Sequence, residues 1–107
     1  MKAFEIFSWQ PPGWPEPHPV VIVSHPGRVE NKNEVNVLAC SSKAATRPAR
    51  PHEVTLDQAD GLDWPTLCKC DLLYAVEKKD LARRRGRVSD ARRSQIIATM
   101  IRANGWC

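Results

Sequence analysis

Apolar and polar residues alternate through AFEIFS at positions 3–8, which predicts a first β-strand. The next eleven residues, WQPPGWPEPHP, hold five prolines. Proline neither donates to a sheet ladder nor continues a helix, so this stretch reads as a loop. VVIVS at 20–24 is an unbroken β-branched run, the signature of a buried central strand. HPGRVENKNE follows as a polar turn, and VNVLACSS at 35–42 alternates again as a third strand. KAATRPARP reads as a basic, flexible loop and HEVTL at 52–56 as a short strand. DQADGLDWP carries turn signals, and TLCKCDLLYAVEK at 66–78 is one long strand or two consecutive ones. KDLARRRGRVS reads as a short helical turn ended by Gly86. From Ser89 the period becomes helical. Ser89 suits an N-cap, Ile97, Met100 and Ile101 recur on one face, and Gly105 falls where the helix would stop.

Five or six short strands followed by one amphipathic helix predict a mainly β, α+β fold. The expected form is a small, bent antiparallel barrel with a C-terminal helix packed on it. There is no βαβ alternation, internal repeat or glycine-rich phosphate loop. At 107 residues, 42% hydrophobic and 26% charged, the chain is expected to form a single domain spanning 1–107. A core that small favours dimerisation. Sixteen Lys and Arg against twelve Asp and Glu give a formal charge of +4, which suits a polyanionic partner. Six of the arginines (83, 84, 85, 87, 92 and 93) crowd into eleven residues. No apolar run reaches membrane-spanning length and no signal-peptide core follows Met1, so a cytoplasmic protein is expected, with no membrane partner.

In that compartment Cys40, Cys68, Cys70 and Cys107 are expected to stay reduced. They show neither CxxC spacing nor a nearby His pair, so no metal site and no cofactor is expected. The stretch LCKCDLL at 67–73 is then better read by strand geometry. Residues two apart share a face, so Cys68, Cys70 and Leu72 point one way and Leu67, Lys69, Asp71 and Leu73 the other. The cysteines become small core residues. Lys69 and Asp71 are left side by side, as a surface ion pair worth ~0–1 kcal/mol or as a cation and a carboxylate fit to move protons around a phosphate.

Together HPVVIVS, VNVLACSS, HEVTLDQADGL, LCKCDLL and the closing LARRRGRVSDARRSQIIATMI resemble the PemK/MazF family of type II toxin–antitoxin toxins, in order and spacing, from residue 18 onward. The resemblance implies a small SH3-like barrel of the PemK/MazF/CcdB type that forms a homodimer. It implies a metal-independent endoribonuclease acting on single-stranded RNA, a growth inhibitor. It also implies a cognate antitoxin with a flexible acidic tail, and DNA binding through the antitoxin complex. In such an enzyme the ribose 2′-OH loses a proton as it attacks phosphorus, the 5′ oxygen gains one, and the added negative charge needs a cation or donors.

Carried over residue by residue, KCD matches a basic–Cys–Asp segment of the family, making Lys69 and Asp71 catalytic candidates. ACSS matches a position holding a catalytic or RNA-contacting Thr, which points to Ser41, with Ser42 and then Lys43 beside it as RNA contacts. Where members carry Arg before Pro-Val-Val, this chain has His18, a group able to act as cation, acid or base near neutral pH. The replacement either preserves cleavage with a different pH profile or marks a catalytically impaired binding module for nucleic acid or antitoxin. The proline-rich stretch is shorter than the family's first loop. Trp9 and Trp14 flank it, to stack on bases at ~1–3 kcal/mol each or to pack against the prolines. His25 and Arg28 are candidate phosphate contacts or solvated turn residues, and the arginine cluster a solvated face or a set of salt-dependent phosphate contacts.

Overall fold

A computed structural model describes residues 1–106; Cys107 lies outside the described residues. The strands are β1 (Glu5–Trp9), β2 (His18–Ile22), β3 (Glu34–Ser41), β4 (Glu53–Leu56), β5 (Thr66–Glu77) and β6 (Leu81–Arg87). Helix α1 (Pro26–Asn31) lies between β2 and β3, and α2 (Asp90–Ala103) closes the chain. Every strand pair is antiparallel, in the spatial order β4-β5-β3-β2-β1-β6. Among the described residues the outer strands β4 and β6 share no ladder, so the sheet curls without closing a ring of hydrogen bonds.

The gap between the outer strands is spanned by the turn after β4. Its 3₁₀ segment Gln58–Asp60 ends at Gly61 with φ 85°, a left-handed value that favours glycine. Gly61 packs on Gly86 of β6, where a Cβ would drive into the Asp60 carbonyl. The buried Asp60 carboxylate accepts from the Ser89 amide at 2.9 Å and from Arg92 at 2.7 Å, while Arg92 also grips Asp57 at 2.7 and 3.0 Å. This polar latch fastens the β4 side of the sheet to the β6–α2 corner.

Two apolar layers lie on opposite faces. Ile96 of α2 packs with Ile6, Val21, Leu38, Cys40, Val54, Leu56, Cys68 and Cys70; Val29 of α1 packs with Val20, Ile22, Val35, Val37, Val76 and Leu81. Cys40, Cys68 and Cys70 are free thiols inside the first layer; hydrogen bonding to a neighbouring thiol (Cys40 for Cys68, Cys68 for Cys70), then burial, pushes the Cys68 and Cys70 thiols up. They are core residues, as strand geometry predicts.

Four local expectations are corrected. The polar stretch 25–34 contains α1, started by His25, whose Nδ1 accepts from the Gly27 amide at 3.0 Å, with Pro26 in the first turn. The arginine-rich segment is not helical: Leu81–Arg87 pairs with β1 as an edge strand, and its charges suit an open edge. Basic loop 43–51 includes a 3₁₀ turn, Lys43–Thr46, and Arg47 is tied down by Glu53. In α2, capped by Ser89 as expected, Ile96 and Thr99 face the sheet, whereas Ile97 and Ile101 are 42% and 37% exposed.

Candidate active site

The fourth strand in the spatial row, β2, starts at His18, which pairs with Trp9 of β1. The β2–β3 ladder runs Ile22↔Val37, Val21↔Leu38, Val20↔Ala39. Continuing that register sets His18 beside Ser41, and Ser41 in turn pairs with Leu67 of β5. Trp9, His18, Ser41 and Leu67 thus form one row across four strands, on the face of the α1-side layer. Each ladder step is about 4.8 Å, so His18 and Leu67 backbones lie about 10 Å apart.

Lys69 and Asp71 follow Leu67 where β5 leaves the regular ladder. Below the break Cys40 pairs with Cys68; above it Leu38 pairs with Leu73. A single residue of β3, Ala39, therefore spans four of β5, Lys69–Cys70–Asp71–Leu72. A bulge bends its strand and re-aims side chains. Here it also reverses the alternation. Leu67 and Lys69 belong to the α1-side face before the break, whereas Tyr74 and Val76 pack there after it. Leu72, expected with the cysteines, is 43% exposed, and Leu73 is 42% exposed. The freed segment is held from outside the β3 ladder: the Cys70 amide donates to the His52 carbonyl at 2.9 Å, and Asn104, the C-cap of α2, donates to the Cys70 carbonyl at 3.0 Å.

Lys69 does not pair with Asp71. Its Nζ lies 2.5 Å from Oε2 of Glu53, the residue opposite it on β4. The Glu53 side chain is fully buried and takes both Arg47 amino groups at 2.7 and 2.9 Å and the Arg50 amide at 2.8 Å. His52 Nε2 stands 3.9 Å from the same carboxylate. The Arg47 hydrogen bonds, then those of Lys69 and the Arg50 amide, outweigh burial and hold the Glu53 carboxyl far below its ordinary range. Two cations on one carboxylate leave this group one positive charge in excess. Asp71 stands exposed at the crest of the bend.

Around the row the loop is fastened at several points. Trp14 meets the His18 ring edge-on, with centroids 4.7 Å apart, and remains 38% exposed. Trp9 packs against Tyr74 at 5.4 Å. Ser42 Oγ donates to Thr66 Oγ1 at 3.2 Å, and Lys43 Nζ meets Glu16 of the proline-rich loop at 3.2 Å. Trp14, His18, Ser41, Ser42 and Lys43 are therefore gathered at one end of the sheet, with Lys69 and Asp71 adjoining. His25 and Arg28 are not. They sit at the other end of the β2–β3 hairpin, His25 capping α1 and Arg28 bound to the Glu34 carbonyl at 3.1 Å.

The arginine cluster also divides. Arg92 is absorbed by the Asp57–Asp60 latch, whereas Arg84, Arg87 and Arg93 line a cleft of about 760 Å³ at the α1 end. Arg83 lies with Trp9, Pro12 and Pro17 around a second cleft of about 490 Å³. Glu53 and Arg47 were not candidates from sequence. Their only signal was a glutamate opening a strand and an arginine in a loop; the Glu53–Lys69 pairing is set by the β4–β5 register, and the loop folds Arg47 back onto Glu53. Among the described residues no cluster of His, Cys, Asp and Glu is arranged to hold a metal ion.

The site combines a lysine, an exposed carboxylate, a histidine and hydroxyls on a solvent-facing sheet end, a set able to bind a phosphate and exchange protons around it. Similar folds occur in the Mycobacterium tuberculosis toxin MazF-mt6, at 21% identity over 92% of this chain and 94% of that one, with a TM-score of 0.78. An endoribonuclease in complex with its cognate antitoxin from a mycobacterial species matches at 21% identity, 98% and 95% coverage and a TM-score of 0.82. The MazE–MazF complex of Deinococcus radiodurans matches at 13% identity, 98% and 95% coverage and a TM-score of 0.76. No curated protein matches the sequence at a significant level. The model of the PemK-like, MazF-like toxins of type II toxin–antitoxin systems matches residues 6–103, nearly the whole chain, and the chain belongs to that family.

Proposed function

We propose that this toxin is a metal-independent endoribonuclease that cleaves single-stranded RNA by attack of the 2′-OH on the adjacent phosphorus, leaving a 2′,3′-cyclic phosphate. The observation that carries the reading is the break in β5, which takes Lys69 and Asp71 out of the ladder next to the His18–Ser41 row. Asp71 is suited to accept or relay the 2′-OH proton, Lys69 to offset the phosphate charge, and His18 to serve the leaving oxygen. Ser41, Ser42 and Lys43 are suited to the flanking phosphates, and the exposed face of Trp14 to a base. The fold likeness to a mycobacterial protein described as an endoribonuclease with its antitoxin supports the same assignment.

Its partner would be an antitoxin with an acidic segment complementary to the basic surplus, and DNA would be bound through that complex, in the cytoplasm. A homodimer is supported by Ile97, Ile101 and Trp106, 42%, 37% and 59% exposed around an apolar groove on α2. Light scattering of wild type beside Ile101→Glu tests it, with a monomer expected for the variant.

The activity is tested on a long unstructured RNA in EDTA, across about pH 5 to pH 9, the range in which histidine titrates. Cleavage by wild type, its loss in Asp71→Ala, and no cleavage of the all-deoxy strand are expected. A folded wild-type dimer that leaves the RNA intact throughout that range would overturn the proposal. It would favour the non-catalytic binding module, a reading that the engagement of Lys69 by Glu53 also fits.

A further inference from the structure

We infer that Glu53 is a positioning residue of this site, setting where the Lys69 ammonium can meet a phosphate and holding Arg47 beside it as a second cation. The inference rests on the ribonuclease reading for its kinetic consequence, and on geometry alone for the placement. Lys69 sits where β5 has lost its β3 partner, so the ladder on that side does not fix its direction. On the other side it faces Glu53 directly, as the pair Glu53↔Lys69.

The Glu53 carboxylate is itself immobilised. It is fully buried, gripped by both amino groups of Arg47 and by the Arg50 amide, and one oxygen reaches Lys69 at 2.5 Å. A long flexible lysine tethered to a fixed anion loses most of its rotamer freedom before any ligand arrives. The side chains of Arg47 and Lys69 remain 29% and 20% exposed, so both present a solvent-facing edge. The arrangement is a preorganised pair of cations around a buried carboxylate, with one positive charge left over for an incoming phosphate. A misplacement of about 1 Å costs an enzyme on the order of 100-fold in rate.

The two effects of Glu53 on a phosphate ligand have opposite signs, which makes the inference testable. Removing the carboxylate charge raises the local positive charge, yet it frees Lys69 to wander. Glu53→Gln should therefore cleave RNA about 100-fold more slowly in kcat, with KM unchanged or lower. It should bind an all-deoxy oligonucleotide more tightly than wild type, because two cations are released from one carboxylate. Glu53→Asp, which keeps the charge on a shorter stem, should recover part of kcat. In a double-mutant cycle with Lys69→Met, that gain in oligonucleotide affinity should shrink once Lys69 is gone, leaving only the share carried by Arg47.

Unchanged kcat in a folded Glu53→Gln protein would overturn the inference. So would a parallel loss of kcat, affinity and cooperative unfolding, or an unaltered effect of Glu53→Gln in the Lys69→Met background. If wild type itself does not cleave, the ribonuclease reading fails, while the affinity cycle still decides the placement of Lys69.

Discussion

Two buried carboxylates organise this molecule in opposite ways. Asp60 and Glu53 both have fully buried side chains and both hold an arginine. At Asp60 two carboxylates share one guanidinium, and every partner belongs to a turn or a helix start: Asp57, Ser89 and Arg92. That network carries a negative excess and lies beside a close backbone contact between Gly61 and Gly86. At Glu53 one carboxylate serves two cations, and the excess is positive at a solvent-facing break in a strand. The first arrangement suits closing a sheet; the second suits meeting an anion. A buried ion pair alone separates neither case, whereas the sign of the surplus charge and the regularity of the adjoining ladder do.

A single substitution costs most at the latch. Asp60→Ala leaves the Ser89 amide without its acceptor and Arg92 with one carboxylate instead of two. Removing one partner of a buried pair costs about 3–5 kcal/mol, the largest loss expected here. Urea unfolding should show a large drop in midpoint, whereas RNA cleavage by the fraction still folded in buffer should be close to wild type. Loss of cleavage without loss of stability would erase the distinction between the two networks.

Glu53→Gln comes next. The Arg47 and Lys69 heads can turn toward water when the carboxylate charge is removed, so the loss is that of charged hydrogen bonds, about 1.5–3 kcal/mol. It carries a pH signature. Arg47, then Lys69 and the Arg50 amide, hold the Glu53 carboxyl far below its ordinary value of 4.5. The folded state therefore binds the proton less well than the unfolded chain. The stabilisation is complete above the unfolded value and is lost as pH falls toward the folded one. The gap in urea midpoint between wild type and Glu53→Gln should stay constant from about pH 8 to about pH 6 and shrink below about pH 4. A gap that widens on acidification would have the wrong sign.

Much of this was readable from the chain because it is local. Period-two alternation marked β1 and β3, the β-branched run marked β2, and the cysteines were placed in the core by strand parity. Ser89 was readable as a cap because an N-cap is set by a few consecutive residues. Three features resisted because distant parts of the chain decide them. LARRRGR has no strand alternation and becomes β6 by pairing with β1 and by lying against Gly61. Ile97 and Ile101 have the right period for a buried stripe, and Met100 of that stripe does pack on the core, but the residues fully turned to the sheet are Ile96 and Thr99. Parity also failed at Leu72, because the break opposite Ala39 resets the alternation within one strand. Strand parity set Lys69 and Asp71 side by side, but the partner that holds Lys69 is Glu53, a β4 residue that no local pattern marks.

The smallest change in stability is expected at Lys69 itself, and that is the sharpest form of the contrast. In Lys69→Met the stem can still cover the strand, and Glu53 keeps both Arg47 bonds and the Arg50 amide. What disappears is one contact from a partly exposed ammonium that water readily replaces, about 1 kcal/mol or less. Arg92 in the latch has no such alternative, since its removal strands two carboxylates, one of them fully buried. Lys69→Met should thus unfold within a few degrees of wild type while losing RNA cleavage, and its affinity for an all-deoxy oligonucleotide should become less salt-dependent. A small structural cost together with lost cleavage is the outcome that the proposed ligand role of Lys69 predicts. Melting far below wild type, with cleavage lost only in proportion to unfolding, would return Lys69 to the structural class occupied by Arg92.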